Sequence, residues 1–192
     1  MEEKRISTIT SFYIILLYFI KLNDSDIQFK RCTSANLADI CFLQDLAFSH
    51  LNNEDLLRKN SIKTLQICLN DPHYTLGAWY GNQLIAFAIL YDAGKTEENL
   101  GYDIDIKKED LNDVINMKLI IVSPFFRGNG LQTKLTTKLE EIAKIKGKKI
   151  VCLTISPENI YSQKNAIALN YQLYKTKVKY NNLKRNIYYK LL

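Results

Sequence analysis

Ile120-Ile121-Val122-Ser123-Pro124-Phe125-Phe126-Arg127-Gly128-Asn129-Gly130-Leu131-Gln132 is an apolar, β-branched run that breaks at Ser-Pro and passes through two glycines into a helix-period pattern. A strand that feeds a glycine turn into a helix N-terminus makes an anion site. The first helical N–H groups have no intrahelical partners, the helix dipole adds partial positive charge, and glycine lets backbone approach a phosphate closely. Two common phosphate loops are excluded. A Walker loop ends in Gly-Lys-Ser/Thr, whereas Gly130 is followed by Leu131 and Gln132. A dinucleotide fingerprint needs three glycines and an acid about twenty residues on. Here there are two glycines, and the next strand pattern, Lys149 to Ile155, carries no acid.

The pattern Val-x-Pro-x-x-Arg-Gly-x-Gly-Leu resembles the acetyl-CoA pyrophosphate loop of the GCN5-related N-acetyltransferases, the GNAT superfamily. The resemblance implies an α/β fold with a central mixed, mostly antiparallel twisted sheet, flanked by helices and splayed at its central strands. It implies an acyltransferase, an N-acetyltransferase with acetyl-CoA as co-substrate and no metal. It also implies that main chain at Ile121 and Val122 holds the pantetheine arm. Arg127, Gly128, Asn129, Gly130, Leu131, Gln132 and Thr133 would cradle the pyrophosphate. Many family members carry a small residue where this chain has Gln132.

A second motif follows the next strand. The family places Asn, a small residue three later, Tyr seven later and Gly-Phe at the helix exit; this chain has Asn159, Ser162, Ala166 and Asn170-Tyr171. Asn170 suits the Gly position, because a helix exit often needs a left-handed residue and Asn tolerates that conformation. Asn159 reads either as a cofactor contact or as a plain N-cap, and the two roles are compatible. Ala166 is the departure, since alanine cannot serve as the acid that the family's tyrosine supplies. Ser162 lies four residues earlier on the same helix face and is the weak catalytic candidate, with Asn165 as its neighbour.

Composition bounds the rest. With 47% apolar and 24% charged residues the chain is globular in type. Cys32, Cys41, Cys68 and Cys152 show no metal-ligand spacing, and His50 and His73 lie far from any cysteine cluster. No metal site is expected, and the pattern suits a reducing cytoplasm. The run Phe12 to Ile20 is less than half the ~20 residues that span a bilayer, so residues 1–26 read as an apolar extension of unknown role, not a transmembrane segment. Packing on the domain or on a partner subunit, as in a homodimer, would use it. Residues 134–192 hold thirteen Lys/Arg against three Asp/Glu, and residues 1–133 thirteen against seventeen. A basic C-terminal part suits a ligand with several phosphates; no nucleic-acid motif accompanies it, so nucleic acid is not expected as a partner.

Residues 27–192 read as a single domain. The pattern predicts a strand at Ile27 to Cys32, a helix from Thr33-Ser34 to about His50, and a second helix from about Glu54 to Leu69. Strands follow at Tyr74 to Tyr80 and Gln83 to Tyr91 around Gly81-Asn82. The polar stretch 92–115 leads to a central strand from Asn116 to Val122. A helix at Leu131 to Lys146 stops at Gly147. A strand at Lys149 to Ile155 and a helix at Asn159 to Leu169 precede a hairpin of Tyr171 to Lys179 and Arg185 to Leu191 around Asn181-Asn182.

Acetyl transfer to an amine needs a base, and the central strand carries no acid. Asp110 and Asp113, just before it, and Glu109 are the nearest candidates, or they only solvate a loop. Asp92 to Asp113 holds eight acids and three lysines. It is either an exposed insertion or an acidic rim that would attract a cationic amine. The alternative to an enzyme is a non-catalytic CoA-binding module for regulation or interaction, because the usual tyrosine is missing.

Overall fold

The computed structural model describes residues 21–180 and 182–192. The apolar run from Phe12 to Ile20, and Asn181, lie outside the described residues. The elements are β1 (Ile27–Arg31), α1 (Leu37–Ser49), α2 (Ile62–Cys68), β2 (Tyr74–Tyr80), β3 (Gln83–Tyr91), β4 (Val114–Val122), α3 (Leu131–Ile145), β5 (Ile150–Ile155), α4 (Ile160–Ala168), β6 (Gln172–Lys179) and β7 (Leu183–Leu191). The sheet runs β1-β2-β3-β4-β5-β7-β6. Every neighbouring pair is antiparallel except β4 and β5. It is the mixed, mostly antiparallel sheet that the sequence implies.

Helices cover both faces. Leu131, Leu135, Leu139 and Ala143 of α3 recur every fourth residue and are buried against Leu76, Ala78, Ala88 and Ile115 of the sheet, with Ala166 of α4 beside them. On the other face Ile40, Leu43 and Ala47 of α1 and Leu65 and Cys68 of α2 pack on Phe87, Ile89, Leu119 and Ile121. The α3 helix ends at Gly147, whose φ of +74° lets Lys148 N–H return to the carbonyl of Ala143. Asn170 does the same for α4 at φ +65°, and Tyr171 N–H returns to Ala166.

The second predicted helix is shorter than its pattern. Residues 54–56 form one 3-10 turn, and α2 starts only at Ile62. Gln44, buried on α1, accepts from the Asn60 N–H at 3.0 Å and donates to the Asn60 carbonyl at 2.9 Å. A side-chain amide that takes both backbone groups holds this segment extended, so it cannot continue a helix. Ser61 then caps the true start by accepting from Thr64 N–H.

The polar stretch between β3 and β4 is ordered by buried asparagines. Asn99 donates to the carbonyls of Gly94 and Leu111 and accepts from Gly101 N–H. Asn116 on β4 accepts from Leu100 N–H and donates to the carbonyl of Glu98. Two 3-10 turns, Leu100–Ile104 and Lys108–Asp113, lie inside it, and β4 begins at Val114, two residues before the sequence pattern suggests. Asp103 is buried and pairs with Lys177, at 2.8 Å, and Lys179, both on β6.

Two stability outcomes follow. Gln44→Leu leaves the Asn60 N–H and carbonyl without partners; each such buried group costs on the order of 1–3 kcal/mol. The urea unfolding free energy should fall by roughly 2–4 kcal/mol, and an unchanged midpoint would show that this amide does not hold the segment. Burial alone would raise the Asp103 carboxyl, but Lys177 and Lys179 offset it and hold the group below its ordinary value. Its contribution is present above the unfolded value of ~3.9 and lost as pH falls through the lower folded value. Wild-type stability should therefore drop more steeply below about pH 4 than that of Asp103→Asn, measured by thermal melts across pH.

Candidate active site

The site begins where two strands part. β4 and β5 pair from Val114↔Ile150 to Met117↔Leu153 and no further. Beyond that point β4 stays with β3 as far as Val122↔Ala86, and β5 stays with β7 as far as Ile155↔Asn186. The cause is a bulge at Lys118, because Leu90 pairs with Met117 while Ile89 pairs with Leu119. One extra residue bends the strand and exchanges its faces. Ile115 and Met117 face the α3 side before the bulge, whereas Leu119 and Ile121 face the α1 side after it.

The gap holds a cavity of about 410 Å³, within the size range of small-molecule sites. Its floor is Met117 to Ile120 and Leu153 to Ser156, and one end reaches Asn159 and Ser162. The other end is walled by three segments: Leu56 to Arg58 with Asn60, Glu97 and Glu98 with Leu100, and Lys179, Tyr180 and Arg185 of the hairpin.

Past the end of β4 comes the glycine loop. Ser123-Pro124 breaks the strand, Pro124–Phe126 forms a 3-10 turn, and α3 starts at Leu131. Gly128 and Gly130 have φ of +83° and +67°, conformations that side chains other than Asn or Asp rarely adopt. No atom lies within 4 Å of the position a Cβ on Gly128 would take, so the loop surface is open. Lys134 is the first α3 residue whose N–H bonds back into the turn, to Gly130 at 3.0 Å. The preceding amides lie at the dipole's positive end. An open turn of this kind fits a diphosphate. Asn129 accepts from Leu22 N–H and donates to Phe126, which ties the loop to the chain before β1.

Among the sequence-predicted residues, Arg127 to Thr133 form this turn, and Ile121 and Val122 lie on the splayed part of β4. Asn159 caps α4, its side chain accepting from Ser162 N–H at 3.0 Å, and also lines the cavity. Ser162 is half-buried and lines it too. Asn165 does not reach it; its amide donates to the Gln132 side chain at 3.0 Å. The unexpected glutamine in the loop therefore joins the start of α3 to α4.

The acids before β4 do not reach the cavity. Asp113 pairs with Lys149 at 2.7 Å at the end of β4 remote from the splay. Of the eight acids in the polar stretch, Asp92 pairs with Lys148, Asp103 with the β6 lysines, and Asp105 with Lys175 and the Tyr174 hydroxyl. Glu97 and Glu98 are the two that line the cavity. Glu98 lies 3.7 Å from the Lys118 ammonium, which sits 4.1 Å above the Tyr91 ring. A hydrogen bond with the Tyr91 hydroxyl, offset in part by burial and aided by Lys118 and Arg58, holds the Glu98 carboxyl below its ordinary value. Sequence reasoning passed over Lys118, although a lone cation inside the apolar run Val114–Val122 was a readable signal. Arg58 and Arg185 carried none.

The cysteines are remote. None lines the cavity, and burial pushes the thiols of Cys32 and Cys152 up to about 12 and that of Cys68 up to about 11. Among the described residues no three His, Cys, Asp or Glu side chains group as metal ligands, and no helix is long and apolar enough to cross a membrane.

The comparisons agree with this geometry. The sequence profile of the Acetyltransferase (GNAT) family matches residues 37–166. No curated protein sequence matches the chain. Among solved structures, yncA of Salmonella typhimurium with its cofactor acetyl-CoA is 16% identical; the match covers 86% of this chain and 93% of that one at a TM-score of 0.66. The N-acetyltransferase from Staphylococcus aureus Mu50 is 17% identical over 86% and 98% of the two chains, with a TM-score of 0.64. The ribosomal-protein-S18-alanine N-acetyltransferase of Escherichia coli is 14% identical over 86% and 93%, with a TM-score of 0.65. At these identities the likeness speaks for the fold, while the profile covers more than half of the sequence. The chain belongs to the GNAT acetyltransferase family and is an acyltransferase.

Proposed function

We propose that this protein is an acetyl-CoA-dependent N-acetyltransferase that moves an acetyl group to a primary amine by direct transfer. The cavity in the β4–β5 gap carries the reading, because Ser162, near one helix start, and Glu98 both line it. Amides of Arg127 to Thr133 would hold the pyrophosphate, and main chain of Ile121 and Val122 the pantetheine arm, with Asn159 beside it. Residues 27–192 supply the whole domain, and the free thiols suit a reducing cytoplasm.

The acceptor's ammonium first loses a proton to solvent; the neutral nitrogen then attacks the thioester carbonyl carbon, and the carbon–sulfur bond breaks. Polarisation of the carbonyl falls to backbone N–H on the unpaired edge of β4, where charge develops. Once the carbon–nitrogen bond forms, the ammonium it creates is far more acidic than the free ammonium. A carboxylate such as Glu98 can then take its proton, although it is too weak a base to deprotonate the free ammonium. The thiolate leaves as CoA and gains a proton from the Ser162 hydroxyl or solvent. A covalent route through cysteine gets no support, since no cysteine lines the cavity and burial raises the thiols of Cys32, Cys68 and Cys152.

CoA at ~100 times its dissociation constant should stabilise the wild type by roughly 2.7 kcal/mol in a thermal melt. Gly130→Asp puts a carboxylate in the loop and should abolish that shift. A folded mutant that keeps the full shift would remove the loop from the site. Glu98→Gln should lower kcat by about 10²–10⁴-fold with acetyl-CoA binding intact. Because the Glu98 carboxyl sits below its ordinary value, it stays ionised across neutral pH, so wild-type kcat should fall toward low pH with loss of the neutral amine and show no separate inflection from Glu98 within that range. A Glu98→Gln enzyme with unchanged kcat and a raised KM would show that Glu98 binds the amine and takes no proton.

A further inference from the structure

The cavity wall carries more positive charge than acetyl transfer uses. Arg58, Lys118, Lys179 and Arg185 line it together with Glu97 and Glu98. Lys118 is matched by Glu98, and Lys179 by Asp103. Neither Arg58 nor Arg185 enters an ion pair among the described residues. The Arg58 guanidinium lies 4.1 Å over the Tyr180 ring.

Arg185 is the stronger observation. It is 3% exposed and lines the cavity. Its Nη1 donates to the carbonyl of Lys184 at 3.0 Å. Its Nη2 is buried and has no hydrogen-bond partner. Burial, with Arg58 adding to it, lowers the guanidinium's pKa from its ordinary value. A guanidinium remains charged inside a protein, and native structures seldom leave such a charge buried with an idle donor. The fork of a guanidinium matches a carboxylate, two parallel donors to two oxygens. The cavity is the size of a small metabolite, not of a folded partner.

We infer that the acceptor is a small amino acid, an α- or ω-amino carboxylate, whose carboxylate is bound by Arg185 with Arg58 while its amine faces Glu98 and the thioester. The amine end rests on the proposed acetyl transfer, and the carboxylate end rests on the two arginines alone. A dipolar acceptor gives both signs of charge in the cavity wall a purpose. Glu97 and Glu98 attract the ammonium, which sheds a proton to solvent before transfer, and the arginines receive the acid.

The test uses the full chain and a matched panel: α-amino acids and unbranched ω-amino acids of two to six carbons, each with its carboxamide, and the diamines of equal length. Thiol release from acetyl-CoA reads transfer, and calorimetry on CoA-loaded protein reads binding. At least one carboxylate should exceed its carboxamide and diamine in kcat/KM by about tenfold or more, as expected for a charge-assisted pair. Arg185→Gln should bring that ratio close to one, mainly through KM, and Arg185→Lys should restore part of it. If Arg185→Gln does not fold, Arg58→Gln serves for the same comparison. Carboxamides or diamines used equally well, or a ratio unchanged in the folded variants, overturns the inference and leaves the transferase standing. Arginine-dependent binding of a carboxylate without thiol release upholds the acid pocket and sinks the transferase reading. A panel in which no amino carboxylate binds or reacts also overturns the inference.

Discussion

The parallel ladder between β4 and β5 stops after four residue pairs, and the rest of the site depends on that stop. Parallel strands that kept pairing would close the gap and leave no room for a thioester between them. The bulge at Lys118 ends the ladder and puts a cation at the fork. Each strand stays paired on its outer side, so the opening does not unravel the sheet. Each strand therefore gives up hydrogen bonds along one edge only. That edge carries backbone groups still in need of partners, and main-chain recognition of an extended ligand uses such groups.

Around the fork, polar side chains do the positioning that apolar packing does elsewhere. Asn116 and Asn99 pin the polar stretch to β4 and so fix where Glu98 stands. Gln44 holds the segment containing Arg58 in an extended course. Gln132 and Asn165 join the two helices whose starts flank the cavity. Amides fit these places because each can donate and accept at once, and a buried backbone N–H and carbonyl need both.

Much of the fold was legible in the sequence. The α3 stripe from Leu131 to Ala143, the glycine stop at Gly147 and the left-handed Asn170 are local signals, and each was read from neighbours within about two turns of chain. The glycine turn was legible for the same reason, since two glycines after a Ser-Pro break mark it locally. The second helix was overextended because its limit is set by Gln44, sixteen residues before Asn60 in sequence. The base was sought just before β4, yet Asp113 is spent on Lys149 and neither Glu109 nor Asp110 lines the cavity, placements that no local pattern announces. Arg185 was invisible because its meaning lies in the partner it lacks, which only three-dimensional burial reveals.

The pairing of Asp103 with Lys177 and Lys179 has a consequence for anyone who would redirect this enzyme. It makes the loop bearing Glu97 and Glu98 and the hairpin bearing Arg185 a single piece of architecture. A grafted hairpin that lacked lysines at positions 177 and 179 would strand the buried Asp103 carboxylate under it. A replacement loop without Asp103 would set two ammonium groups against each other. If the acceptor binds as inferred, the two segments that contact it are coupled through Asp103. Exchange of residues 92–113 together with 172–191 offers a route to new specificity that neither segment offers alone.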